Sequence, residues 1–450
     1  MSNTLIMSSS GIRGIVGETL TEAIATDVGM SFGTYVNHGT VVIGGDTRES
    51  HDLYKSAVIK GLTAVGCSVI DIGTVPTPTV QQLVRHNKAQ GGVVITASHN
   101  PIQWNGIKLM NASGSFMNSD EYSDYSTIYS NRHNIQPSTK LGSVTIQTNA
   151  IDIHIDRILN ELDTSHLKST NLKVLIDPNN GTGCLATPKL FNRIGINPTF
   201  INAEPNGQFT HTPEPIKQNL SQIINELKNG DYDIGFVQDP DADRLVIIAG
   251  DGTYIGEDVS LGLCIDYILK QDPSPTKSVV VNLSTSNVIN SIAKKHNATL
   301  TQTKIGEPNV THAIKTQNAT VGGEGNGGVI FPKVGWGRDS LVGMVIALKY
   351  LAESQLSVNQ IVNQYPTFHM LRDKFTVDSH DQVNQTLKKI NDAFSTQKKD
   401  TQDGIKIIYD NSWIHIRASN TEPIIRLFIE APTQNEIQIH YQTVKNILES

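Results

Sequence analysis

The chain has 450 residues; 36 basic and 43 acidic side chains leave a net charge of −7, with 38% hydrophobic and 18% charged residues. At roughly 150 residues per domain this is a globular protein of about three domains, not a disordered chain. No Lys/Arg run tracks a phosphate backbone, no apolar stretch approaches the roughly 20 residues of a membrane span, and residues 1–10 lack a signal-peptide layout.

The expectation is therefore a cytoplasmic protein that binds neither nucleic acid nor membrane. Cys67, Cys184 and Cys264 stand singly and far apart, which reads as three reduced thiols in that compartment.

One unit repeats three times along the chain. Val41-Val42-Ile43-Gly44-Gly45-Asp46 reads as a strand, with helical spacing to Gly66 and a second strand at Val69-Ile70-Asp71-Ile72. Lys173-Val174-Leu175-Ile176-Asp177 opens the second copy, with a turn at Asn179-Asn180-Gly181, a helix to Ile194 and a strand around Phe200-Ile201. Val279-Val280-Val281-Asn282 opens the third, with a helix to His296 and a strand at Ala298-Thr299-Leu300. Continuously apolar strands in such units predict parallel sheets covered on both faces. From about Phe368 the pattern changes: strands at 374–377, 406–409, 413–417 and 424–430 accompany helices near 383–393 and from about Gln434. The spacing predicts three α/β domains, 1–145, 146–255 and 256–367, and a smaller α+β domain, 368–450.

Four short segments carry the candidate chemistry. Thr96-Ala97-Ser98-His99-Asn100-Pro101 follows an apolar run, placing a serine at a strand end where Pro101 stops a helix and presenting it to solvent; ordinary turn geometry also accounts for these residues. Gln238-Asp239-Pro240-Asp241-Ala242-Asp243-Arg244 puts carboxylates on alternate residues of a turn. Their oxygens suit a hard divalent cation, whereas crowding them without one is repulsive. Arg244 and Gly250 at the sixth and twelfth positions exclude an EF-hand. Gly322-Gly323-Glu324-Gly325-Asn326-Gly327-Gly328 contains a dinucleotide-like glycine spacing, yet Val329-Ile330-Phe331-Pro332 follows as a strand instead of a helix, so that reading fails. It is either a flexible loop or one whose glycines let the backbone approach a ligand while Glu324 and Asn326 offer polar groups. Arg417-Ala418-Ser419-Asn420-Thr421-Glu422-Pro423, with Arg426 beyond it, reads as an anion cradle or as a plain strand connection.

Together and in this order the segments resemble the α-D-phosphohexomutases, over a stretch reaching from Gly11-Ile12-Arg13-Gly14 to Arg426. The resemblance implies four domains around a central cleft, three related α/β mixed-sheet domains and a smaller, mobile C-terminal α+β domain. It implies that Ser98 is the phosphorylated serine and that Asp239, Asp241 and Asp243 hold one Mg²⁺ per chain together with the Ser98 phosphate. Lys108, in Asn105-Gly106-Ile107-Lys108, would sit near the transferring group as the proton carrier, with Arg244, Arg13 and His99 around it. Glu324, Asn326 and Lys304 would bind the sugar, and Arg417, Ser419, Asn420, Thr421 and Arg426 its distal phosphate. The implied reaction moves a phosphoryl group between the 1- and 6-positions of a hexose phosphate through a sugar bisphosphate, with glucose or glucosamine 1,6-bisphosphate as activator. The implied partner would be a small sugar phosphate, and the expected state is a monomer or homodimer.

Departures from the family pattern bear on the sugar. Asn326 and Gly328 stand where many relatives have Ser and His, and Glu307, in Lys304-Ile305-Gly306-Glu307, stands where many have His. With Gly335-Trp336-Gly337-Arg338-Asp339, these are similar to the phosphoglucosamine mutase branch of archaea and some bacteria; Asn420 is similar to phosphomannomutase/phosphoglucomutase enzymes. A metal-dependent sugar phosphatase and a non-catalytic sugar-phosphate sensor are the competing readings. The intact Ser98, Asp triplet and Arg244 speak against the sensor, which needs no phosphate donor.

Overall fold

In the computed structural model, which describes residues 5–376, 380–418 and 424–449, the apolar runs form strands of four separate sheets. The first has Gly91–Ile95, Thr40–Gly45, Ser68–Thr74 and Val144–Ile146 side by side and parallel. Trp104–Asn111 runs antiparallel to Gly91–Ile95, and Gly11–Ile15 and Ile6–Ser8 continue that edge in alternating directions. The second sheet is ordered Leu245–Ala249, Ile234–Gln238, Val174–Asp177, Thr199–Phe200, and the third Thr299–Thr303, Ser278–Asn282, Val321–Glu324, Gly328–Ile330. Each has two parallel pairs and one antiparallel edge.

The sheets are thus mixed, where continuous apolar strands predict parallel ones. Chain length is the reason. A parallel crossover needs a dozen or more residues, and the connections 96–103, 239–244 and 325–327 are too short for one. Each sends the chain straight back beside the strand it has left. The fourth sheet is antiparallel throughout, ordered His369–Thr376, Ile424–Ala431, Trp413–Ala418, Ile405–Ile408, Lys398–Asp400. Helices His380–Ala393 and Gln434–Glu449 pack against it and each other. All four chemical segments therefore join antiparallel neighbours.

One apolar mass runs through the first three sheets, including Val94, Phe191, Phe236, Leu263 and Val345. Helix Ser340–Ser354 is buried from Ser340 to Leu351 within it. The fourth sheet keeps a core of its own, with Ile390, Ile407, Ile416 and Leu427. Polar contacts dock it: Lys406 Nζ donates to the Leu283 carbonyl at 2.6 Å, Glu430 accepts from Asn287 N–H at 2.7 Å, and Arg372 pairs with Glu257 at 2.7 Å. His415 Nδ1 and Ser284 Oγ are 2.8 Å apart across the same joint. The three cysteines are buried and unpaired, and burial pushes Cys67 up to about 11. No helix among the described residues is long and apolar enough to cross a membrane.

Candidate active site

Strand Gly91–Ile95 delivers the serine turn. Ser98 has φ +49, a left-handed conformation that costs an L-residue about 1–3 kcal/mol and persists only where its surroundings hold it. Here its N–H donates to Thr96 Oγ1 at 2.8 Å, and Thr96 Oγ1 donates to Asp46 Oδ2 at 2.6 Å. Arg48, 2% exposed, fastens the rest of the turn. Its guanidinium donates to the carbonyls of Ser98 (2.8 Å), Asn100 (2.7 Å), Pro101 (2.9 Å) and Trp104 (3.0 Å), and its Nε pairs with Asp46. Sequence places Ser98 toward solvent; in the fold it is 2% exposed. Packing of the second domain against the turn covers it, so that its Oγ donates to Asp239 Oδ2 at 2.9 Å and lies 3.3 Å from His99 Nδ1.

The acidic turn follows strand Ile234–Gln238, with Ala242 also left-handed at φ +53. Asp239, Asp241 and Asp243 are fully buried, and each offers an oxygen within 4.8 Å of the others'. The crowding that sequence assigns to a bound cation is relieved in part by the chain's own bases. Lys108 Nζ pairs with Asp241 at 2.9 Å and lies 3.9 Å from Asp243; Arg338 pairs with Asp243 at 2.5 Å; Arg244 Nε stands 3.8 Å from both Asp239 and Asp243. Thr77 donates to Asp241 at 2.8 Å. Burial, reinforced by its two neighbours, lifts Asp239 well above the usual carboxylate range. Burial pushes Asp241 the same way, but Lys108 and Thr77 hold it below that range.

The triplet fits a divalent cation. Asp241 Oδ1 and Asp243 Oδ1 are buried with no hydrogen-bond partner among the described residues, while their second oxygens are held by Thr77, Lys108 and Arg338. Free carboxylate oxygens so arranged are the donor set of a hard ion such as Mg²⁺.

Lys108 projects from strand Trp104–Asn111. Arg13, on the neighbouring strand Gly11–Ile15, donates to Asn100 Oδ1 at 3.1 Å and to the Ser10 carbonyl at 3.3 Å. Burial, then the nearby Arg244 and Arg13, press the His99 imidazole well below its ordinary pKa.

The glycine-rich segment is a tight hairpin, with Glu324 opposite Gly328. Its glycines let the backbone pack closely against the protein itself: a Cβ at Gly325 would meet Asp258 Oδ1 and one at Gly328 would meet Arg338 Cδ, while Gly325 also borders a cavity lined by His99 and Arg244. Glu324 is 4% exposed and accepts from Asn282 at 2.9 Å and from Gly306 N–H at 3.0 Å. Asn326 Oδ1 is buried and has no partner among the described residues. Lys304 is exposed beside Ile305. Burial lifts Glu307 to about 7 against the pull of Arg338.

A cavity of about 800 Å³ joins the four domains, lined by His99, Arg244, Glu324, Asn326, Arg372 and Arg426 among others. Arg417 stands opposite Arg426 in the sheet register and its Nε lies 3.2 Å from Asp403. Ser419, Asn420 and Thr421 lie outside the described residues. A hollow of about 880 Å³ bordered by His166, Tyr232 and Gln355 is larger but lies away from these groups, so volume alone does not locate the chemistry. Arg48, Thr77 and the contacts of Arg338 escape sequence reasoning. Arg48 leaves only the trace of a polar Asp46-Thr47-Arg48 run after a strand.

Models of the phosphoglucomutase/phosphomannomutase alpha/beta/alpha domains I, II and III match residues 4–135, 152–252 and 257–368, and the model of the C-terminal domain matches 373–439. A phosphoglucomutase/phosphomannomutase of Thermococcus kodakarensis is 34% identical over 453 residues, covering 99% of this chain and 98% of the relative. A phosphoglucosamine/phosphogalactosamine mutase of Sulfurisphaera tokodaii is 31% identical over 450 residues, covering 99% of each. The crystal structure of a phosphoglucomutase/phosphomannomutase family protein from Burkholderia thailandensis shares the fold, with a TM-score of 0.85, 24% identity and coverage of 99% of this chain and 98% of that one. The chain belongs to the phosphoglucomutase/phosphomannomutase family, within the α-D-phosphohexomutases, and is an isomerase of that kind.

Proposed function

We propose that the enzyme interconverts glucosamine 6-phosphate and glucosamine 1-phosphate through phosphorylated Ser98 and a glucosamine 1,6-bisphosphate intermediate. The observation that carries this reading is the 2.9 Å bond from Ser98 Oγ to Asp239, inside a carboxylate triplet with two unpartnered buried oxygens. In the forward transfer the bond between Ser98 Oγ and phosphorus breaks as one forms from the sugar hydroxyl oxygen, and the hydroxyl proton passes to a base of the site. The bisphosphate turns end for end, and Ser98 Oγ takes back the other phosphate. Such transfer needs alignment and charge neutralisation more than covalent help. Asp239, Asp241 and Asp243 would hold Mg²⁺, which would supply charge neutralisation for the phosphoserine. Arg244 and Arg13 steady phosphoryl oxygens, Lys108 Nζ carries the proton, Glu324 and Asn326 read sugar hydroxyls, and Arg417 and Arg426 hold the distal phosphate. The polar docking of the fourth domain lets it close over the sugar and exclude water.

The glucosamine assignment is supported by Glu307, Asn326 and Gly328 and by the Sulfurisphaera tokodaii relative. Asn420 and the Thermococcus kodakarensis relative favour a phosphomannomutase/phosphoglucomutase as the second reading. Coupled assays of glucosamine 6-phosphate, glucose 1-phosphate and mannose 1-phosphate separate them. Glucosamine 6-phosphate is expected to have the highest kcat/KM, and a higher value for mannose 1-phosphate overturns the assignment. Release of inorganic phosphate without an isomer would instead mark a phosphatase.

A further inference from the structure

Arg338 is 7% exposed and lies just before helix Ser340–Ser354. Each nitrogen of its guanidinium meets a different carboxylate. Nη2 donates to Asp243 Oδ2 at 2.5 Å, Nε donates to Glu307 Oε2 at 2.9 Å, and Nη1 lies 3.2 Å from Glu324 Oε2. These carboxylates come from the acidic turn, the start of helix Glu307–Gln317 and the end of strand Val321–Glu324. The far oxygens of the two glutamates are also taken: Glu307 Oε1 accepts from Gln81 at 3.1 Å, and Glu324 Oε1 accepts from Asn282 and Gly306. Asp243 differs, because its Oδ1 has no partner among the described residues. Arg338 thus fixes one oxygen of Asp243 and leaves the other without a hydrogen bond, 3.8 Å from Arg244 Nε.

Room for the guanidinium stem exists because position 328 is glycine. Glu307 and Gly328, two positions where the sequence parts from the commoner hexose-mutase pattern, both touch Arg338. Only a planar, multiply donating cation serves three carboxylates in this way; a lysine ammonium is a point charge.

We propose that Arg338 is a positioning residue that couples the cation site to the sugar site, by orienting Asp243 and Glu324 from a single rigid group. The sugar arm of this inference rests on the phosphohexomutase reading; the cation arm rests on carboxylate geometry alone. A partner that orients a metal ligand through its second oxygen is worth about 10–100-fold in metal affinity. Coupling through a shared group makes each ligand tighten the other by the same factor.

The test is calorimetric titration of Mn²⁺ into the metal-stripped, dephosphorylated full-length protein, with and without glucosamine 6-phosphate. In the wild type the sugar phosphate is expected to tighten Mn²⁺ binding. Arg338→Met is expected to weaken Mn²⁺ binding about 10–100-fold and to abolish the effect of the sugar phosphate. Arg338→Lys keeps a positive charge among the carboxylates and guards against misfolding; it is expected to bind Mn²⁺ more tightly than Arg338→Met, but without the sugar effect. The proposal is overturned if the wild type shows no coupling while binding both ligands. It is equally overturned if folded Arg338→Lys keeps the wild-type coupling, or if Arg338→Met binds Mn²⁺ like the wild type. A wild type that binds Mn²⁺ but no hexose phosphate defeats the substrate reading, and Mn²⁺ affinity in Arg338→Met still decides the cation arm.

Discussion

The Ser98 hydroxyl donates to the Asp239 carboxylate at 2.9 Å although 141 positions of sequence separate them. The first domain's serine turn and the second domain's acidic turn thus meet in one buried cluster. Replacing Ser98 with Ala removes the only atom of that residue able to carry phosphate. Alanine tolerates the local φ as well as serine does, so the fold is expected to persist. Isomerisation is expected to fall at least about 10³-fold, and mass spectrometry is expected to find no phosphate on the corresponding peptide. Sugar-phosphate binding should change little. Retained turnover would remove the phosphoserine mechanism.

Lys108 pairs with the carboxylates that would hold a divalent cation. Lys108→Met leaves Asp241 buried without its ammonium partner, a loss on the order of 3–5 kcal/mol of stability. Because a bound cation restores part of the missing charge, Mg²⁺ is expected to raise the melting temperature of this variant more than that of the wild type. Equal shifts in a thermal melt would show that the two cations do not share ligands.

Arg48 gathers four backbone carbonyls around one guanidinium. Arg48→Lys keeps the charge beside Asp46 but cannot match that geometry. The serine turn should loosen, and a misplacement of Ser98 by about 1 Å is expected to cost roughly 10²-fold in kcat with little change in KM. Steady-state kinetics on a hexose phosphate would show the split.

These cases also mark what is legible in the sequence. Ser98 and the Asp triplet are readable because their chemistry lies in side-chain type, concentrated in a few residues after an apolar strand. Arg48 is not, because its acceptors are carbonyls of 98–104, which any residue supplies. Arg338 is not, because its three carboxylates come from separate segments and only the fold assembles them. The same holds for strands. Thr40–Gly45 announces itself through apolar residues, whereas Lys398–Asp400 is polar and becomes a strand through backbone pairing with Ile405–Ile408. Strand direction was written in loop length instead of strand composition.

His415 links the fourth domain to the third, and its burial predicts a pH dependence for the joint. Burial pushes its pKa down to about 4, opposed by its hydrogen bond to the Asp403 carbonyl. That carbonyl only accepts, so Nε2 carries the proton and Nδ1 accepts from Ser284 Oγ. The unfolded chain takes up a proton as pH falls through about 6.5, and the folded domain only near 4. Its contribution, on the order of 3 kcal/mol, is complete above about pH 6.5 and is lost as pH falls toward 4. The protection factors of strand Trp413–Ala418 in hydrogen exchange, taken relative to the intrinsic rate at each pH, are expected to fall across that window in the wild type and to fall less in His415→Gln. Identical profiles would acquit His415.

Among the described residues the buried core of the fourth sheet is a cluster separate from the apolar mass of the first three, with Phe368 packed against the latter, so heating should not take the molecule apart in one event. A scanning calorimeter is expected to record two heat-absorption peaks, a small one for residues 368–450 and a large one for the remainder. Acidification should move the small peak first. A single symmetric peak would mean that polar contacts at the joint are enough to make both parts melt together.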